Sequence, residues 1–285
     1  MIAVRDCLSV AQPAAGGAAV SSRPNGTLLN GAEVTRLRIL SYNVQTGMRT
    51  RHFGDYLIRG WQHLVPHPDR PRNIERVADL LSEFDLVGLQ EVDAGSLRSG
   101  FVNQTQFMSE RAGFPYWHDQ TNRRIGRFAR HSNGLLSRFR PLRVSEHELP
   151  GMIPGRGALH ICLGGPGEEL HVLLMHLSLG QRTRMRQLDY VAGLVRELPH
   201  VVVMGDLNCR TDSRELRHLL DTTSLREPVS DLFTYPSWSP RRNIDHILVS
   251  DTLAVRRSEV VDYPVSDHLP IMMEVELPRS LVLVP

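Results

Sequence analysis

Val201-Val-Val-Met-Gly-Asp-Leu-Asn208 decides the architecture. The apolar run Val201–Met204 reads as a short buried strand. It stops at Gly205 and gives way to two polar side chains, Asp206 and Asn208. The same arrangement recurs along the chain. Leu37 to Asn43 reads as a strand ending in Asn43, and Asp85 to Gln90 as a strand followed by Glu91. Leu170 to Leu177 is a strand carrying His176 near its end. Asp245 and His246 interrupt the apolar strand Ile244 to Val249, and Asp267-His268 stand just before Leu269 to Val275. Between these strands lie segments of helical spacing, with Ile74, Val77, Leu80 and Leu81 in one and Met185, Leu188, Val191, Leu194 and Val195 in another. Asn133 to Arg138 adds a strand. Ala158 to Leu163 pairs with Leu170 to Leu177 across a Gly-Gly-Pro-Gly turn at 164–167, a hairpin signature. Hairpins mixed with strand–helix alternation predict a layered α/β or α+β domain with more than one sheet.

Strand ends in layered α/β folds meet on one rim, so these polar groups are expected to form one cluster. Taken singly, each has an ordinary structural reading: Asn43 as a turn cap, Asp206-Leu-Asn208 as a turn, His176 as a hydrogen-bonded core residue. Asp245 is harder to dismiss, because a buried carboxylate without a partner is costly. Together the groups have a chemistry. Carboxylates brought close repel and need a cation to stay ionised. Carboxylate and amide oxygens without sulfur are hard ligands suited to Mg²⁺ or Mn²⁺. A metal with His and Asp is equipment for hydrolysing a phosphate ester: the metal neutralises developing charge, and an Asp or a His–Asp pair orients and deprotonates water.

Ser41-Tyr-Asn43, Leu89-Gln-Glu91, Met175-His-Leu-Ser178, Gly205-Asp-Leu-Asn208, Ile244-Asp-His246 and Ser266-Asp-His268 resemble, in this order, the motifs of the endonuclease/exonuclease/phosphatase (DNase I-like) superfamily. Asn133-Gly-Leu-Leu-Ser-Arg138 and Arg184-Met-Arg-Gln187 look like its auxiliary motifs. The resemblance spans about residues 37–277 and implies a four-layer α/β/β/α sandwich, two packed mixed sheets flanked by helices. It implies Asn43, Glu91 and Asp267 at a divalent metal (Mg²⁺ or Mn²⁺). His176, Asp206, Asn208, Asp245 and His268 become catalytic, with Asp245 orienting His268 and the general base open between Asp206 and His268. Asn133, Arg130 and Arg184 are candidate substrate contacts. The chain departs from the family pattern at Met175, Leu207 and His246, none of which removes a catalytic group. Glu91-Val-Asp93 with Ser96 and Arg98, and Thr234-Tyr-Pro-Ser237 ahead of Arg241-Arg242, resemble a broad branch of the superfamily other than the abasic-site endonucleases.

Composition narrows the chemistry further. The 285 residues contain 33 basic side chains, all of them arginine, and 31 acidic ones, for a net charge of +2. Without lysine there is no Schiff-base chemistry and no Walker A loop. A charge this small argues against a long electrostatic grip on duplex nucleic acid. The expected substrate is therefore a compact phosphodiester or phosphomonoester, with DNA or RNA as the alternative and a noncatalytic phosphate-binding module as a further one. Cys7, Cys162 and Cys209 are far apart with no Cys-x-x-Cys pair, which predicts neither a disulfide framework nor a cysteine zinc site. No apolar run approaches the roughly 20 residues of a membrane helix. The first ten residues make a poor secretory signal, so a cytoplasmic location is expected. A monomer is the separate expectation for oligomeric state.

Residues 1–35, rich in Ala, Gly, Ser and Pro without apolar period, are expected to be a disordered tail ahead of one domain over 36–285. Two segments keep open readings. Phe53, Leu57, Trp61 and Leu64, in the 49–69 segment, form a helical stripe that is either a core-facing helix or a substrate cap. Arg123, Arg124, Arg127 and Arg130 around Phe128 form either a solvated arginine face or a phosphate-contact loop.

Overall fold

The computed structural model describes residues 4–6, 36–48, 69–152, 154–165 and 167–285. Its strands are β1 (Val4–Asp6), β2 (Arg36–Asn43), β3 (Leu86–Asp93), β4 (Tyr116–Ile125), β5 (Ala129–Ser137), β6 (Pro141–Glu148) and β7 (Gly157–Gly164). They continue with β8 (Glu169–His176), β9 (Val201–Asp206), β10 (Leu225–Arg226), β11 (Asp245–Ser250), β12 (Ala254–Val260) and β13 (Ile271–Glu276). The helices are α1 (Asp69–Leu81), α2 (Gln104–Ala112), α3 (Gln181–Val195) and α4 (Arg214–Thr222).

The strands form a seven-stranded sheet, β1-β6-β7-β8-β9-β11-β10, and a six-stranded sheet, β12-β13-β2-β3-β5-β4. Each contains one parallel pair linked through a helix. β2 and β3 are joined through α1, and β8 and β9 through α3. A parallel pair needs such a crossover, and it sends the carboxyl ends of both strands to the same rim.

Period-two alternation explains the four layers. Leu37 and Ile39 of β2, Val172 and Leu174 of β8, and Val202 and Met204 of β9 meet in a core between the sheets. The intervening Leu40 and Tyr42 face outward and pack under Ile74, Val77 and Leu81 of α1 and Met108 of α2. Leu173, Val201 and Val203 do the same under Leu188, Val191 and Val195 of α3 and Leu216 of α4. Both faces of the central strands are buried, which is why they read as continuous apolar runs. The sheets approach closely at Gly88, where an added Cβ would lie 2.7 Å from Met204 Cε and 2.8 Å from Leu174 Cδ1.

The expected four-layer sandwich is therefore present, with differences at its margins. Val4–Asp6, inside the segment expected to be a tail, pairs antiparallel with β6 and extends that sheet by one strand. An edge strand presents unpaired backbone groups to which a short segment can bond. The rest of 1–35 and the apolar stripe at 49–68 lie outside the described residues. Among the described residues, no helix is long and apolar enough to cross a membrane.

Candidate active site

The topology assembles the rim. β2, β3, β8 and β9 all end there, delivering Asn43, Glu91, His176 and Asp206. β11 runs antiparallel to β9 with Asp245 opposite Asp206, so Asp245 begins its strand where Asp206 ends one. β13 pairs with β2 with Ile271 opposite Ser41, which brings residues 266–268 alongside Asn43. Ser266 Oγ fastens that loop by donating to the Asn43 carbonyl at 2.6 Å.

Local backbone irregularities aim two of the groups. The β3–β5 register shifts between Leu89 and Val92, and Glu91 sits in this bulge with φ 57°. A bulge frees one residue from the strand alternation and re-aims its side chain, here at strain typical of functional sites. Asn208 also has a left-handed φ, 52°. Its N–H donates to Asp206 Oδ1 at 2.9 Å and its Nδ2 to the Leu177 carbonyl at 3.0 Å, which ties the ends of β8 and β9 together.

The side chains converge. Asn43 Nδ2 donates to Asp206 Oδ2 at 3.1 Å and to Glu91 Oε1 at 3.3 Å. Asp206 Oδ2 also lies 3.4 Å from His176 Nε2 and 3.8 Å from His268 Nε2. His268 Nδ1 is bonded to Asp245 Oδ2 at 2.8 Å. Thr234 Oγ1 donates to the same Asp245 oxygen at 2.5 Å, and the Tyr235 ring lies 4.9 Å from the His268 ring. The 234–237 segment singled out in the sequence thus buttresses the His–Asp pair. His246, the neighbour of Asp245, points away and bonds Glu227 and the Cys209 carbonyl.

Burial and mutual charge set the protonation states. Burial, then the charge of Asp245, pushes the Asp206 carboxyl up to about 7. Burial, then Asp267, raises Glu91 as well. Burial and the nearby Arg156 hold His176 well below the usual imidazole value, so it is neutral. For His268, burial acts downward, but Asp245 and its hydrogen bond outweigh it and raise the imidazole well above its usual value. Two histidines on one rim thus carry different charges: both are pushed down by burial, which Asp245 and its hydrogen bond overcome at His268 and which Arg156 reinforces at His176.

The donor set fits a hard divalent cation. Glu91 and Asp267 supply carboxylate oxygens. Asn43, whose Nδ2 faces Glu91 and Asp206 while its Oδ1 accepts from the Gln45 N–H, would add an amide oxygen once its amide is turned over. Burial, then Asp267, raises the Glu91 carboxyl, and a cation there would offset that. Asp206, Asp245 and His268 also offer ligand atoms within 4.8 Å of one another, but the His268–Asp245 bond already engages that group.

A cleft of about 630 Å³ opens onto this cluster, lined by Glu91 and His176 on its floor. Its walls are the β4–β5 hairpin (Asn122, Arg123, His131, Asn133), Met152 with Pro154, Gly155 and Arg156, and Ser178, Leu179 and Gly180. Of the candidate substrate contacts, Asn133 lines this cleft and donates to the Gly157 carbonyl. Arg130 and Arg184 are directed elsewhere. Arg130 donates to the Ala94 carbonyl, and Arg184 is paired with the buried Glu215 at 2.7 Å while bonding the Ser178 and Leu179 carbonyls. With Gln187, which bonds Ser178 through both amide atoms, Arg184 holds the loop forming one cleft wall. Arg156 was not anticipated. It lines the cleft and interacts electrostatically with Glu91 and Asp206. Pro154-Gly-Arg156 has neither periodicity nor a motif, so the sequence carried no signal for it. Arg123, from the cluster left open above, lines the cleft; Arg124 and Arg127 lie exposed near the hairpin tip.

Comparison with known proteins agrees with this fold. An uncharacterised protein of Escherichia coli K12, YbhP, is 30% identical over 167 residues, which are 52% of this chain and 63% of that protein. The chain thus spans less than two thirds of that relative's length. An endonuclease/exonuclease/phosphatase structure from Beutenbergia cavernae superposes with a TM-score of 0.67 at 21% identity, covering 87% of this chain and 73% of that one. A mannosyl-6-phosphatase of Bacteroides thetaiotaomicron superposes with a TM-score of 0.62 at 18% identity, covering 84% and 99%. The model of the Endonuclease/Exonuclease/phosphatase family matches residues 40–268, most of the chain, and the protein belongs to that family.

Proposed function

We propose that the protein is a divalent-metal-dependent phosphoesterase acting on a compact phosphate ester. The observation that carries this reading is the convergence of Glu91, Asn43, Asp206, His176 and the His268–Asp245 pair on one rim, where Glu91 and His176 line a cleft. Glu91, Asn43 and Asp267 would hold Mg²⁺ or Mn²⁺, which when bound draws charge from the phosphoryl oxygens.

The residues of the chain divide the remaining work. Asp206, fixed through Oδ1 by Asn208 and carrying an Oδ2 that faces His176 and His268, orients water and takes its proton. His268, held cationic by Asp245, donates to a phosphate oxygen and supplies positive charge as negative charge builds up there. That choice assigns the base to Asp206. His176, neutral, donates one hydrogen bond from the other side of the phosphate. Arg156 and Arg123 contact the remaining anionic oxygens, where a planar guanidinium offers paired donors.

Three features support a compact substrate. The cleft is walled on both sides. The exposed Met152 and Leu179 border it and suit an apolar organic group. The net charge is only +2. The hairpin tip, with Arg124, Arg127 and the exposed Phe128, favours a second reading, single-stranded nucleic acid. Turnover of small chromogenic mono- and diesters, plasmid and single-stranded oligonucleotide, compared under Mg²⁺ and Mn²⁺, separates the readings. Small-ester turnover without cleavage of either nucleic acid is the expected result, and the reverse pattern would overturn it.

A further inference from the structure

His160, Cys162 and His171 lie together on the seven-stranded sheet, away from the catalytic rim. Strand geometry forces the grouping. His160 and Cys162 are two residues apart on β7 and so share a face, and Cys162 stands directly opposite His171 of β8. Their neighbours Leu159, Ile161, Leu163, Leu170 and Val172 point into the core between the sheets, which leaves the three polar groups on the outer face. His171 is five residues before His176 on β8, roughly 17 Å along a strand rising ~3.3 Å per residue. Nothing in the proposed phosphoesterase site uses it.

Three ligand-capable atoms converge there. His160 Nε2 lies 3.1 Å from His171 Nδ1, Cys162 Sγ 3.3 Å from His171 Nδ1, and Cys162 Sγ 3.8 Å from His160 Nε2. Bonds of about 2.0–2.1 Å to nitrogen and about 2.3 Å to sulfur, at tetrahedral angles, place ligand atoms roughly 3.3 to 3.6 Å apart. We propose that His160, Cys162 and His171 form a zinc-binding site with one position left for water. Two imidazoles and one thiolate are borderline-to-soft donors, unlike the oxygen set of the catalytic rim, so the two sites select different metals.

The surroundings support the ligands. Arg143 Nη2 lies 3.1 Å from Cys162 Sγ and offsets part of the burial that pushes this thiol up to about 11, so a metal would bind by displacing the thiol proton. Glu169 lies 3.7 Å from His171 Nε2 and 3.3 Å from Arg143, which balances that arginine and backs the outer nitrogen of a ligand histidine. Cys162 and His171 are buried, whereas His160 is partly exposed and gives a path of entry. One cysteine suffices for such a site when strand pairing supplies two histidines.

Cobalt substitution tests the site in the full chain. Protein stripped with a chelator and titrated with Co²⁺ is expected to develop a thiolate-to-cobalt charge-transfer band that saturates at one ion per chain and is displaced by Zn²⁺. The proposed rim ligands Asn43, Glu91 and Asp267 include no thiolate and cannot produce this band. It is expected to vanish in Cys162→Ser and in His160→Gln, and to persist in Cys209→Ser. His160 is partly exposed, so its variant decides the matter if the cysteine variant does not fold. Absence of the band in the parent protein, or its persistence in His160→Gln or a folded Cys162→Ser, would overturn the proposal.

Discussion

His268 Nδ1 and Asp245 Oδ2 share a 2.8 Å hydrogen bond, and both side chains are buried. The pair is held from outside by Thr234 Oγ1 on the same carboxylate oxygen and by the Tyr235 ring beside the imidazole. Burial alone would discharge the histidine, and the carboxylate reverses that.

Asp245→Asn is therefore expected to lower the His268 pKa and pull the alkaline limb of the pH–rate profile to lower pH. At fixed neutral pH the loss should be ~10²–10⁴-fold, the usual range for a positioned proton-handling group. An alkaline limb that does not move, measured with purified folded variant, would remove His268⁺ from the account.

Glu91 makes the opposite kind of prediction, a gain in stability. Its carboxyl is raised by burial and by Asp267, so above its usual value the ionised form opposes folding of the metal-free protein. Glu91→Gln removes that charge and should raise the melting temperature without metal. It should also abolish the further rise that Mg²⁺ or Mn²⁺ gives the parent protein. Melting curves with and without metal read both effects.

Proton release is a related consequence. Asp206 sits at about 7 and Glu91 is raised, so part of this cluster is protonated in the metal-free protein near neutrality. Binding of a cation should expel those protons, and apparent Mn²⁺ affinity should climb as pH rises through about 7. Calorimetric titrations in buffers of different ionisation heat measure the release directly. Affinity independent of pH across that window would contradict it.

Behind the site, Asp93 and Arg98 form a fully buried ion pair with Nε 2.5 Å from Oδ2. Ser96, Ser99 and the Arg130 N–H also bond the carboxylate. Burial pushes this group up, but Ser96 and Arg98 prevail and lower it below 3.8. A carboxylate depressed in the folded state contributes stability at all pH above its unfolded value and loses it as pH falls through the folded one. Asp93→Asn should cost about 3–5 kcal/mol at neutral pH by leaving Arg98 buried without a counter-ion. The gap from the parent protein, read by urea unfolding, should narrow only below the ordinary carboxylate range.

Much of this was legible in the sequence for a physical reason. Central strands buried on both faces must be continuous apolar runs, so Val201–Met204 and Leu170–Met175 stood out, and polar groups at their ends were conspicuous by contrast. The edges were not legible. β4 reads Tyr-Trp-His-Asp-Gln-Thr-Asn-Arg-Arg-Ile, with one buried residue, because an edge strand over solvent has no need of apolar alternation. β12 at the other edge has no fully buried residue. α2 and α4 have nine residues each; α4 has only Leu216, Leu219 and Leu220 at helical spacing, α2 has a weaker pattern still, and both are marked by their caps Asn103 and Ser213. At the site, groups on strand ends and on the loops directly beside them, such as Asn208 and Asp267-His268, were visible, whereas a group on a loop away from those strand ends was not. Asn133, on a central strand, faces the cleft as expected, while Arg156 was missed. Arg184 was seen but placed on the substrate, since sequence order does not reveal a partner such as Glu215, 31 positions away.

The central claim is that the rim performs metal-assisted hydrolysis with Asp206 handling the water. The most direct test is hydrolysis of a chromogenic phosphate ester by the parent protein and by Asp206→Ala, after chelation and again after return of Mg²⁺ or Mn²⁺. The account predicts that parent activity stops with chelator and returns with metal, while folded Asp206→Ala stays inactive under both conditions. Parent activity that survives chelation, or turnover by Asp206→Ala at the parent rate, would contradict it.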